Sequence, residues 1–582
     1  MQPRQVTMLP RGTEGLNMPG YLDIHRAMRQ FATGELSRRD FMKRAAAMGF
    51  TAPAVASFLA AAPLSVSPSL FGQSAAAQEA QEGVMGGTLI VALGTDLASL
   101  DLMFGSATIN RDVMGHVYEY LFTMSEDNQY IPDLAEGMEI SEDGTTFTIT
   151  LRSGVPFHNG KIMTSADVVA SLERWKRMTS RGSAILADVT SIEAPDDATV
   201  VVTFPTPNGG FLYGIGHYGG LAGIIPAEIV EKYYDETAAE DPDGQITDAA
   251  DAIGTGPYKL VEWVTDRSVD MARFEEYAAR EEPVNGRGGK RTAYADEIKF
   301  VPVTDPTARL NGLIAGEYHI AYDLPPAQYD QVSTDPSLVP IIVKPGSKAV
   351  GVFNKQKGPF TNQALRQAAL AATDPVEVML GTIDNDQFFL NTPALAGPEW
   401  GAWFTEVGEE AYFTRDIEKA KALVAESGYD GSPLRWITTR DFDYMYRSAL
   451  VCQQQWADAG INVELVVSDW PTVLTNRADP DAYEIFSTGI GYQGDPLGTS
   501  AYTSNWPGWT PEGEITRLYG ELVQETDQTR RTELWVQLQE AFYVEVPYIQ
   551  FGEIYAFRAT RSEVKGFTEA SDLRVWNVWI EE

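Results

Sequence analysis

The sequence predicts an α/β protein of two lobes, with the chain crossing twice between them. Strand-like and helix-like patterns interleave over two long stretches, which argues for α/β lobes. The C-terminal tail is β-rich like the first strands, so the chain returns to the lobe where it began. No fixed-period repeat is visible, which removes solenoids and propellers.

The chain has 582 residues and a formal charge of −37. It opens with a segment unlike the rest. Ser37-Arg38-Arg39-Asp40-Phe41-Met42-Lys43 precedes a charge-free, Ala-rich run that ends in Ala75-Ala76-Ala77. The run is too weakly apolar for a stable membrane span. A positive region, a modest apolar region and a small-residue end match a cleavable export signal. The residues resemble a twin-arginine signal, with methionine where leucine is more usual. Residues 1–77 are therefore set outside the fold, and the product is expected in the periplasm. No cysteine stands at the expected cleavage site, so no lipid anchor is expected there.

Without that segment the charge deepens to −41, because eight cations leave with four anions. Such a surface repels nucleic acid and anionic lipid. The single cysteine, Cys452, leaves no internal disulfide framework, so stability must come from core size.

The first strand is read in GGTLIVALG. MEISEDGTTFTITL follows as a hairpin turning at Asp143-Gly144, with Phe147, Ile149 and Leu151 on one face. Thr164 and Asp167 have the spacing of a capping box. Val168, Leu172 and Trp175 then recur at helical spacing. ATVVVTF, DEIKFVPV and EYHIAYDL read as strands, with a short helix in PTARLNGLIAG. From about 346 the alternation is regular. Helices in RDIEKAKALVAESG and YMYRSALVCQQQWADAG stop at Gly428 and Gly460. INVELVV and AYEIFSTGI are strands between helices, and helices over 512–545 lead to PYIQFGEIYAFRATRS and LRVWNVWI. The boundaries that follow are 78–345 for lobe I, with an extra subdomain over about 115–205, 346–545 for lobe II, and 546–582 for the return.

Residues 131–175 contain Pro132, Leu134, Ala135, Glu136, then Leu151, Arg152, Gly154, Val155, Phe157, His158, Gly160, and a helix opening in Ala166-Asp167-Val168. This pattern resembles the extracytoplasmic solute-binding proteins of ABC importers in the dipeptide, oligopeptide and nickel class, family 5. Further fragments continue it in order across the mature chain: SLDL, GTGPY, GVFNKQKGPFTNQALRQAAL and GINVELVVSDWPTV. The resemblance implies the large cluster C form of the periplasmic-binding-protein fold, with the extra subdomain in lobe I. It also implies a monomer that closes on a small-molecule solute, is read by ABC permease subunits, and uses no cofactor and no protein-bound metal. The motif residues themselves read as structural, and His158 as a hydrogen-bonding loop residue.

In the peptide-binding members a Gly-Trp-x-x-Asp stretch follows the strand near 482–490, and its aspartate pairs with the solute ammonium. Here Ile490 stands at the Trp position and Gln493 at the Asp position. A neutral glutamine cannot supply that charge-assisted bond. Asp495 is the substitute if the loop is shifted, although the following Pro496 suggests a turn cap. Peptide remains the expected solute, with oligosaccharides, opine-like conjugates and metal chelates as alternatives.

Tyr492, Gln493, Trp506 and Asn354 are the expected ligand contacts, followed by Phe104, Tyr213 and Arg440, with Asp495 and Trp509 beside them. Loop aromatics can stack on a solute while their polar tips orient it. Arg440 lies between a strand and a helix, where a cation and free N–H groups suit an anion. GIGHYGG at 214–220 matches the dinucleotide fingerprint in spacing only, since its helix opens later; a flexible cleft-edge loop is the preferred reading. No Gly-x-Ser-x-Gly occurs, and the mature histidines lack metal spacing. No catalytic residue is assigned. A secreted hydrolase is the rival from another class, and a chaperone or signalling receptor would share the fold.

Overall fold

A computed structural model describes residues 83–104, 107–234, 244–491 and 494–581. The export-signal reading falls on residues outside these.

The first strand, β1 (Thr88–Leu93), is buried on both faces. A small pair, β2 (Phe122–Met124) and β3 (Tyr130–Pro132), leads into a four-stranded antiparallel sheet. That sheet contains β4 (Ala135–Ile140), β5 (Thr146–Leu151), β6 (Ser191–Asp196) and β7 (Thr199–Thr203), in the order β4-β5-β7-β6. Its hairpin turns at Gly144, whose φ of 69° favours a residue without Cβ. The helix Ser165–Met178 covers this sheet through Val168, Leu172 and Trp175. It is opened as the spacing predicts, by the Thr164 N–H donating to Asp167 Oδ2 at 2.9 Å.

The chain then adds β8 (Tyr258–Val264), β9 (Ser268–Arg273), β10 (Glu297–Pro302) and β11 (Ile320–Leu324) around β1. Two long strands follow, β12 (Leu338–Phe353) and later β17 (Tyr548–Arg561), which pair antiparallel along most of their length. Between them come β13 (Phe389–Leu390), β14 (Leu434–Thr439), β15 (Val463–Ser468) and β16 (Ile485–Ile490). The large sheet runs β15-β14-β16-β12-β17-β11-β1-β10-β9-β8, with β13 on β17. Each lobe thus owns one end of a mixed sheet, and β12 and β17 join the two ends.

Lobe II follows the alternation of its sequence. Trp436, Ala349, Phe353 and Ile485 pack into one apolar cluster, while Ile437, Val350, Val352 and Phe486 pack into another. Helices on both faces supply the partners: Ala368, Trp456 and Cys452 on one side, Leu518, Leu534 and Trp535 on the other. Gly428 and Gly460 take the left-handed conformation expected of them.

Two expectations are corrected. LRVWNVWI is not a strand over its length; only β19 (Trp579–Ile580) pairs, with β18 (Val564–Lys565). Val575, Trp576 and Val578 are nevertheless buried in the lobe I core, so burial rather than pairing explains the apolar run. GIGHYGG is not a flexible loop. It closes a buried helix, Gly210–Gly216, and enters a short turn, Tyr218–Gly220. A Cβ on Gly214 would lie 2.6 Å from Trp175, and one on Gly220 2.1 Å from the Gly214 carbonyl oxygen. Close packing is what these glycines permit.

Candidate functional site

The lobes meet along a seam between the β2–β3 hairpin and two stretches of lobe II. Asp495, fully buried, sits just after β16. Its Oδ1 accepts from the Leu497 N–H at 2.9 Å and from Arg531 Nη2 at 3.0 Å. Its Oδ2 accepts from the Tyr130 hydroxyl of the opposite lobe at 3.3 Å. Burial, with the Asp495 charge next, holds that phenol well above its usual range. Nearby, Asn128 Nδ2 donates to the Glu399 carbonyl oxygen at 2.6 Å. Gly401 and Gly494 both have positive φ, and a Cβ would lie 3.0 Å from the Asp127 carbonyl oxygen or the Met124 methyl respectively. A side chain at either position would press on the facing side of the seam.

Two larger cavities flank the stacked rings of Tyr213 and His217, whose centroids are 5.4 Å apart. One, of about 590 Å³, is lined by Arg181, Asn208 and Tyr213 from lobe I and by Ser500, Asn505 and Tyr519 from lobe II. The other, of about 460 Å³, is lined by Ser125, His217, Arg287, Glu399, Asp572 and Arg574 among others. Both sizes suit a small solute. Arg181 lies over the Tyr213 ring at 4.9 Å and donates to the Gly219 carbonyl oxygen at 2.6 Å. Asp572 pairs with both Arg287 and Arg574. His217 Nδ1 accepts from the Gly219 N–H at 3.0 Å. Burial first, then the nearby Arg181, Arg111 and Arg287, pushes the His217 pKa well below its ordinary value, so the ring is neutral. The site offers amides, hydroxyls, aromatic faces and fixed charges of both signs. That arrangement suits orientation of a polar solute.

The expected contact residues divide. Tyr213 lines the larger cavity. Asp495 lies on the seam, but its carboxylate is already held by Arg531, Leu497 and Tyr130, so it is a turn cap and not an unspent acceptor. Asn354 is fully buried and spends its side chain on Pro480, Tyr483, Gln356 and Lys357, which corrects its reading as a solute contact. Trp509 stacks on Tyr483 at 6.1 Å and Trp506 packs 5.7 Å from Phe486, so both rings cover the edge of a lobe II cluster. Arg440 is exposed and stands over the Tyr446 ring at 4.0 Å. Phe104 is exposed. Tyr492 and Gln493 lie outside the described residues. Sequence reasoning missed Arg181, Arg287, Tyr519 and Asp572. None of these had a usable local signal; Asp572 precedes the apolar LRVWNVWI and has Glu569 close before it.

The model of the bacterial extracellular solute-binding proteins, family 5 (middle region), matches residues 129–513. A probable peptide ABC transporter periplasmic-binding protein of Sinorhizobium fredii is 26% identical over 566 residues, covering 93% of this chain and 99% of that protein. The dipeptide-binding protein of Escherichia coli is 24% identical over 478 residues, covering 75% and 84%. Among solved structures, a periplasmic binding protein of A. tumefaciens in complex with agropinic acid superposes with a TM-score of 0.69 at 25% identity, covering 85% of this chain and 99% of that one. A substrate-binding protein of Listeria monocytogenes gives 0.72 at 24% identity, covering 86% and 100%.

Proposed function

The chain belongs to the family 5 bacterial extracellular solute-binding proteins, and on that premise we propose that it captures a polar, peptide-like solute between its lobes for an ABC importer. One observation carries this reading. The cavity at Tyr213 is walled by both lobes, the one at His217 by lobe I with Glu399 of lobe II at its edge, and β12 and β17 are the long strands linking those lobes. A solute placed there touches both halves only when they are together. Contacts made in one state alone shift the population toward it.

The lobe boundaries proposed are those read from the sequence, with β12 and β17 as the two crossings. Export by the twin-arginine route to the periplasm is proposed from the Ser37–Lys43 residues, and a monomer from the resemblance. The role needs no covalent step, so the solute leaves as it arrived.

An opine-like conjugate is the second reading. The structure with agropinic acid favours it, as does the neutral Gln493 at the position where peptide binders carry an acid. Native mass spectrometry on protein purified without denaturation tests both. The expected spectrum shows one intact small molecule per chain, released on unfolding; a cleaved product, or no retained or added solute across peptide and opine panels, overturns the receptor role.

A further inference from the structure

Beneath the seam lies a third cavity, of about 10 Å³, lined by Lys348, Trp400, Ile490, Tyr502, Trp535 and Glu553 among others. That is room for about one water-sized group. Glu553 sits on β17 opposite Lys348 on β12. It is 1% exposed. Lys348 Nζ donates to its Oε1 at 3.0 Å, whereas its Oε2 has no hydrogen-bond partner among the described residues. A buried carboxylate oxygen left without a donor is costly.

A second carboxylate lies close by, on the wall of the neighbouring cavity at His217 and near enough to feel the Glu553 charge. Glu399 is half-buried, and its Oε2 is also without a partner among the described residues. Burial raises its carboxyl pKa above the usual range, and repulsion from Glu553 raises it further, against the pull of Lys344 and Lys348. Lys344 is exposed, with its ammonium 5.0 Å from the Tyr555 ring centre. Of the two ammonium groups that act on these carboxylates only Lys348 is buried beside Glu553, and it leaves Glu553 Oε2 without a donor among the described residues. A cation there satisfies the orphaned oxygen and relieves the repulsion together.

Resting on the reading of the cleft as the solute site, we infer that Glu553, with Glu399 beside it, binds a primary ammonium group of the solute. The size of the cavity excludes a trimethylammonium head. The adjacent Lys348 ammonium disfavours a metal ion, which would share only two carboxylates with it. Trp400, Tyr502 and Trp535 supply aromatic walls, which suit a cation better than a neutral donor. The acid at this place belongs to a hinge strand, not to the loop after β16.

The test uses the mature chain, calorimetry, and two probes: a mixed tripeptide library and the same library acetylated at its amino termini. The wild type is expected to bind the free-amine library about tenfold or more tightly than the acetylated one, the loss set by one charge-assisted hydrogen bond. Glu553→Gln, which keeps the shape, is expected to bring the two libraries to within roughly threefold of each other, and Glu399→Gln to do so in part. Equal binding of both libraries by the wild type overturns the inference and leaves the receptor role standing, and needs no variant. A preference that survives in Glu553→Gln also overturns it, reducing the cavity to a water site. Binding of neither library removes the peptide-like solute reading and this inference with it.

Discussion

Protonation of His116 gives a direct measure of how the C-terminal return is fastened to lobe I. The ring is fully buried, with Trp576, Phe300 and Tyr258 centroids at 5.0, 5.5 and 6.4 Å. Its Nδ1 lies 3.0 Å from the Val113 carbonyl oxygen, so that nitrogen carries the hydrogen. Its Nε2 accepts from the Val575 N–H at 3.1 Å, which a second proton would abolish. Burial above all, helped by Arg287 and Arg291, lowers its pKa to about 3. The unfolded chain takes up this proton near pH 6.5 and the folded chain near 3, so stability falls as pH drops between these values. Each pH unit costs about 1.4 kcal/mol, hence about 2 kcal/mol at pH 5 and about 5 kcal/mol at the acid limit. The assay is denaturant unfolding of wild type and His116→Asn from pH 7.5 to 5. The variant is less stable at neutral pH, and the gap is expected to narrow by about 2 kcal/mol at pH 5. A gap that stays constant with pH refutes the reasoning, because His116 would then not be the group that titrates.

Tyr130→Phe removes the 3.3 Å bond to Asp495 while Arg531 and Leu497 still hold that carboxylate. Calorimetry should show solute affinity weakened about three- to tenfold with the melting temperature unchanged. Asn354→Ala should do the reverse, costing roughly 2–4 kcal/mol of stability in denaturant melts at unchanged affinity, since four backbone groups lose their partner. Solute binding should weaken as pH falls, because the raised Glu399 carboxyl takes up a proton in place of the solute cation. Titrations from pH 7.5 to 5 should give a shallower slope for Glu399→Gln than for wild type.

Local features were legible from the sequence wherever one segment determines its own conformation. The Thr164–Asp167 box, the helix-ending Gly428 and Gly460, and the alternation in β5 and β7 depend on neighbours a few residues away. His158 is a hydrogen-bonding loop residue as read, although its partners are distant in sequence: Nε2 lies 2.9 Å from the Gly256 carbonyl oxygen and Nδ1 accepts from the Gly254 N–H at 3.3 Å. The site was less legible because its charges are set by distant partners. Asp495 looks available until Arg531 and Tyr130 fold against it. Arg287 in NGRGGKR looks like a surface cation until the return of the chain brings Asp572 to it. Trp506 and Trp509 sit among Gly, Ser and Thr, which suggests exposure. The surface they cover, Tyr483 and Phe486, belongs to a strand region that local composition does not reveal.

The proposed closure needs a place to bend, and the ladder between β12 and β17 supplies one. Its register is regular from Leu338↔Arg561 to Val343↔Ala556, shifts before Ser347↔Ile554, and shifts again between Ala349 and Val350. On the near side of that break β17 pairs with β11 of lobe I, and on the far side β12 pairs with β16 of lobe II. An interrupted ladder twists and bends more readily than a continuous one. Gly346 within the break has no room for a Cβ, which would lie 2.2 Å from the Ile554 carbonyl oxygen. Lys348 and Glu553 lie between the two irregularities, where the proposed closure would concentrate rotation of the lobes. In that closure a charge bound at Glu553 would act on the hinge itself, whereas one bound at the rim would act only through the contacts it makes across the cleft. This is why the acetylated library and the Glu553→Gln variant bear on closure as well as on solute choice.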